Sequence, residues 1–170
     1  MYKKIKEFRQ GTILGRYDSG KCYYFCNIVE KKYFNGGIKK ACMLLENFIP
    51  NEITAQARVM SSDSSRNGQV SNYPKLDNLS EGYVYRGEVS VKNFPSNLIN
   101  HEIVLITGSV QGIELFNEMN NHGTIVFDPN VGFFYIPSLN TEVIQLTLCQ
   151  IYYDELRVKC FIENGHFLRK

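Results

Sequence analysis

The run from His122 to Ser138, HGTIVFDPNVGFFYIPS, constrains the fold more than any other stretch of the chain. Residues 124–127 and 133–136 are β-branched, aromatic or aliphatic, and between them stand an acid, a proline and a glycine. That pattern predicts two short strands joined through Asp128-Pro129-Asn130-Val131-Gly132, because the proline presets a turn and the glycine releases the chain from it. One carboxylate, Asp128, is thereby fixed at a strand end. A carboxylate so placed is either a turn former or the orienting member of a catalytic triad.

The remaining elements follow from periodicity. From Cys22 the apolar positions Cys22, Phe25, Cys26, Val29 and Tyr33 draw one helical face, with Asp18 or Ser19 as its cap. Phe34-Asn35-Gly36-Gly37 stops that helix, and Ile38, Ala41, Cys42, Leu45 and Phe48 draw a second one that Pro50 closes. Residues 1–15 read as an arm, and 61–68 as a polar loop inside the weakly patterned segment 53–79. Strands are expected over 83–91 and 101–107, a short helix or long loop over 112–121, a helix over 141–153 capped by Thr141, and a last strand over 156–162. Helices first and an antiparallel sheet after them make an α+β fold, and 170 residues at 44% hydrophobic content suit one domain spanning the chain.

The net charge of +2 is spread among interspersed bases and 17 acids, which gives no basic field for nucleic acid. No run is apolar enough to span a membrane, and no apolar h-region of a Sec signal follows the basic start. Five cysteines, an odd and scattered set, fit a reducing compartment better than a disulfide framework. Cys22 and Cys26 have no second ligand pair, so neither a metal nor a cofactor is expected.

Cysteine catalysis needs a thiolate, a base and a group that orients the base. Cys22 follows a glycine and a lysine in the first turn of a helix, where free N–H groups and the helix dipole favour a thiolate and can serve an oxyanion. Read without the others, it is the first core residue of that helix. Of the histidines, His101 opens one strand while Asp128 closes the next, so antiparallel pairing brings the two together. His122 begins the strand that Asp128 ends, and falls at the far end from it; His166 belongs to the C-terminal tail and is expected to be exposed.

Gly20-Lys21-Cys22 at a helix start, a strand-leading His101 and Phe127-Asp128-Pro129-Asn130-Val131-Gly132 together resemble the YopT-type cysteine proteases, papain-like effectors of bacterial virulence. The resemblance implies a papain-like fold with N-terminal helices packed on a C-terminal antiparallel sheet. It implies Cys22 as nucleophile, His101 as base and Asp128 as orienter, acting on a protein substrate, a host protein being the candidate, after delivery from the bacterial cytoplasm. Such proteases carry an amide side chain a few residues before the nucleophile to complete the oxyanion hole. Tyr17 and Arg16 stand there, leaving Arg16 as a cationic donor, or Gln10, as candidates. The same triad also supports glutamine deamidation or acyl transfer. A non-catalytic interaction, immunity or adaptor domain on the same scaffold is the alternative of another class. Val84-Tyr85-Arg86-Gly87 also resembles the arginine strand of ADP-ribosyltransferases, with Ser109 and Glu142 to follow, but without their paired glutamates Arg86 reads rather as a salt-bridged strand residue.

Overall fold

The computed structural model describes residues 1–9, 19–43, 72–92, 100–108 and 123–170. Six antiparallel strands form one sheet: β1 (Lys3–Glu7), β2 (Val84–Lys92), β3 (Asn100–Thr107), β4 (Thr124–Asp128), β5 (Gly132–Ile136) and β6 (Phe161–Arg169), in the order β1-β5-β4-β3-β2-β6. Two helical elements, α1 (Ser19–Cys42) and α2 (Thr141–Leu156), complete the α+β architecture. Neither is long and apolar enough to cross a membrane.

The helices do not share a face of the sheet. Phe25, Cys26, Val29, Ile38 and Ala41 of α1 pack with Val104, Ile106, Ile125, Phe127 and Phe133. Ile144, Leu148, Ile151 and Tyr152 of α2 pack on the other side with Ile103, Leu105, Val126, Phe134 and Ile136. The sheet is therefore a middle layer. Its strands β3, β4 and β5 are buried on both faces, which is why they read as nearly unbroken apolar runs instead of alternating ones.

Three boundaries differ from the sequence reading. The supposed arm holds β1, which pairs with β5 and carries a register shift between Lys4 and Lys6. An edge strand needs only its backbone to pair, and Lys3, Lys4 and Lys6 are the charges that protect such an edge. The expected stop at Gly36-Gly37 is there: both glycines leave helical geometry, Gly37 at φ 76°, and α1 consists of two helices that meet at this kink, while the second one beyond residue 43 lies outside the described residues. The N-cap of α2 is Asn140, whose side chain accepts the Val143 N–H, while the Thr141 hydroxyl donates to the Leu76 and Asp77 carbonyls. Finally, α2 runs through Leu156 until Arg157 turns left-handed (φ 56°) and returns its N–H to the last helical carbonyls, so the last strand starts at Phe161 and not at Leu156.

Candidate active site

The turn between β4 and β5 builds the first part of the site. Val131 N–H closes it onto the Asp128 carbonyl at 3.0 Å, and Asn130 N–H donates to Asp128 Oδ1 at 2.9 Å. A side chain folded back on its own turn in this way has little freedom left. Gly132 follows at φ 113°, and a Cβ there would collide with the Lys6 carbonyl of β1. The turn is held from outside as well: the N–H of Phe8 and the Arg9 guanidinium both donate to the Val131 carbonyl, at 3.3 and 2.7 Å.

His101 approaches this carboxylate from β3. The β3–β4 register pairs Val104 with Phe127, which sets Asp128 opposite Ile103 and His101 two residues along on the same face. The diagonal is closed by a 2.6 Å contact between His101 Nε2 and Asp128 Oδ1. Asp128 Oδ2 accepts a third donor, the Tyr152 hydroxyl of α2, at 2.8 Å, and that hydroxyl in turn accepts from Asn130 Nδ2 at 3.0 Å. All four side chains are buried.

Cys22 arrives from the opposite face, in the first turn of α1. Beyond Val104, where pairing with β4 ends, the backbone of Glu102 meets α1 instead. Its N–H donates to Cys22 Sγ at 3.4 Å, and its carbonyl accepts from Cys26 Sγ at 3.3 Å. Two thiols one helical turn apart thus take both polar groups of one strand residue. Cys26 is a structural thiol, because complete burial pushes its pKa well up and keeps the S–H that it donates.

With Nε2 on Asp128, the ring presents Nδ1 as its other nitrogen. Nδ1 has no partner in good hydrogen-bond geometry, yet the Cys22 sulfur is near enough to act on the ring by charge and a loose hydrogen bond. Cys22 and His101 are therefore neighbours with no hydrogen bond of good geometry between them. Burial pulls the His101 pKa down, but the charge and hydrogen bond of Asp128 outweigh it, and Cys22 adds to them, so the imidazole is lifted to about 10.

The structure thus brings Cys22, His101 and Asp128 together. Gln10 and Arg16, the oxyanion candidates, lie outside the described residues, as do His122, Ser109, the 61–68 loop and the 112–121 segment. His166 is not in an exposed tail but on β6, half-buried, with Nδ1 3.1 Å from the Tyr73 carbonyl. Arg86 is buried and paired with Glu102 at 3.0 Å, and it bonds Asn27 Oδ1 at 2.6 Å. Glu142 stands exposed on the first turn of α2, so this arginine has no acidic partner of the transferase kind there. Among the described residues no cluster of His, Cys, Asp and Glu could hold a metal ion.

Tyr152 and Asn130 are the members that the sequence reading missed. The only signal for Tyr152 was a tyrosine on an apolar helical face, since a buried phenol must find a partner for its hydroxyl. No protein-family model, curated protein or solved structure matches the chain.

Proposed function

We propose that the protein is a papain-like thiol enzyme that acts on a protein substrate, with Cys22 as nucleophile, His101 as acid and base, and Asp128 as the group that orients the imidazole. What carries this reading is His101, held through Nε2 by a carboxylate that two further donors fix, with a cysteine in the first turn of a helix as its other neighbour. A core histidine with no task needs none of this.

In the proposed reaction the Cys22 sulfur attacks the acyl carbon of an amide, and the carbonyl π electrons move to oxygen. That oxyanion forms beside the first turn of α1, where the positive end of the helix dipole supplies a partial positive charge. Collapse expels the amine, which takes its proton from His101 and leaves a thioester. Water then gives a proton to His101 as it attacks the thioester, and Cys22 is released. The YopT-type resemblance points to peptide hydrolysis, in a bacterial effector that meets its substrate in a host cell. Deamidation of glutamine follows the same steps with ammonia as the leaving group.

One observation favours a second reading: Cys22, His101 and Asp128 are all buried, at 4%, 1% and 0% exposure. A non-catalytic interaction domain would keep such a scaffold without opening it. Labelling of the native protein with iodoacetamide, followed by peptide mapping, separates the two. The enzyme reading expects Cys22 to be labelled ahead of the other cysteines, and labelling at least tenfold slower in His101→Ala. If Cys22 stays unlabelled in native protein, or reacts equally fast without His101, the interaction domain is favoured.

A further inference from the structure

Arg86 is a buried charge that the proposed reaction leaves unused. It faces α1 from β2, where it pairs in register with Val104, so that Glu102 of β3 lies two residues along on the same face. Nη2 meets Glu102 Oε1 at 3.0 Å and donates to the Tyr23 carbonyl at 3.5 Å. Nη1 donates to Asn27 Oδ1 at 2.6 Å and stands 3.5 Å from Glu30 Oε1. The guanidinium also lies over the Tyr23 ring, 5.0 Å from its centroid. Tyr23, Asn27 and Glu30 stand at i, i+4 and i+7, so Arg86 grips one face of the N-terminal half of α1.

These contacts enclose Cys22. On one side Arg86 holds Tyr23, the next residue of the helix; on the other it holds the carboxylate of Glu102, whose own N–H donates to Cys22 Sγ at 3.4 Å. The Tyr73 hydroxyl donates to the same carboxylate oxygen at 2.9 Å and fixes Glu102 further. A buried ion pair offsets its desolvation only where the geometry is good and further hydrogen bonds satisfy it. Here the further bonds of Arg86 run to the helix that carries Cys22. A lysine could not replace it, because an ammonium is a point charge without the planar fork that reaches Asn27, Glu102 and the Tyr23 carbonyl together.

We propose that Arg86 is a positioning residue for Cys22, a bolt between α1 and β3 that keeps the Glu102 N–H on the Cys22 sulfur. It does not touch the reacting atoms. Its consequence for catalysis rests on the thiol-enzyme reading: a donor held on a sulfur favours the attacking thiolate, and Glu102 is the residue next to His101 on the strand that the bolt secures.

The test compares the full chain with its Arg86→Lys and Asn27→Ala variants by amide hydrogen exchange followed by NMR, which needs no substrate. The quantity read is the exchange rate of the Glu102 amide divided by that of Val126, buried in β4. A role in stability alone raises both rates by the same factor and leaves the ratio where it was. The positioning role raises the ratio about tenfold in Arg86→Lys, the effect of loosening one hydrogen bond locally. Asn27→Ala, which cuts one arm of the fork and keeps the Arg86–Glu102 pair, should move the ratio in the same direction. An unchanged ratio in Arg86→Lys overturns the proposal; should that variant not fold, an unchanged ratio in Asn27→Ala does so. If the ratio rises while wild-type Cys22 is labelled by iodoacetamide no faster than the other cysteines, Arg86 keeps its place and the enzyme reading alone fails.

Discussion

At the scale of single residues, Asp128 is the most heavily committed group, with Asn130 N–H and His101 on one oxygen and Tyr152 on the other. Its charge is the largest influence raising the His101 pKa. Replacement by asparagine keeps the shape and removes the charge. In Asp128→Asn the NMR titration of the His101 ring is therefore expected to move down from about 10, by at least one pH unit, since one unit is only about 1.4 kcal/mol of lost charge interaction. An unmoved titration would mean that Asp128 is a turn former and no more. Tyr152→Phe removes the hydroxyl that donates to Oδ2 and accepts from Asn130 Nδ2 while preserving the ring. It is expected to cost about 1–3 kcal/mol in urea unfolding, because both hydrogen bonds are buried.

At the scale of elements, β1 supports the site from behind although it contributes no residue to it. It runs along β5, places Phe8 against Phe25 and Phe127 at ring distances of 5.0 and 5.8 Å, and passes close over Gly132. Gly132→Ala sets a methyl group into the Lys6 carbonyl and strains a left-handed backbone, and should destabilise the full chain by on the order of 3 kcal/mol. In a chain lacking residues 1–9 only the backbone strain remains, so the same substitution should cost about 1–2 kcal/mol. Equal costs in both backgrounds would show that β1 does not press on the turn.

What the sequence revealed and what it hid divide along the same elements. The central strands were legible because burial on two faces leaves no polar positions in them, and the Asp-Pro-Asn-Val-Gly run announced its own turn. The encounter of His101 with Asp128 needed only strand order. By contrast β1, KKIKE, has a single apolar residue and pairs through its backbone, which leaves no periodic mark. The end of α2 was hidden because Arg157 takes the left-handed cap that glycine usually signals. Tyr152 was hidden because its role depends on which face of the sheet α2 covers, a fact of tertiary packing that no local pattern carries.

At the scale of the whole molecule, the charged histidine couples the site to stability. The folded pKa of His101, about 10, lies above the unfolded value of 6.5, so the folded state binds this proton more tightly. Its contribution is complete below about pH 6.5 and is lost as pH rises through about 10. Urea midpoints measured between pH 6 and 10 should fall in the wild type, with a shallower fall in His101→Gln. Parallel slopes in the two proteins would show that another group governs this pH range.

The paired thiols at Glu102 bear on how the molecule comes apart. Cys22 and Cys26 moor α1 to the very strand that carries His101, at the residue next to it in sequence. The spacing between Cys22 and His101 is thus a property of one joint and not of two parts that meet by chance. Pulling α1 away from β3 separates Cys22 from His101 and breaks the core contacts of that face in the same event. The dependence of Cys22 reactivity on His101 and the tertiary structure should accordingly be lost together on denaturation.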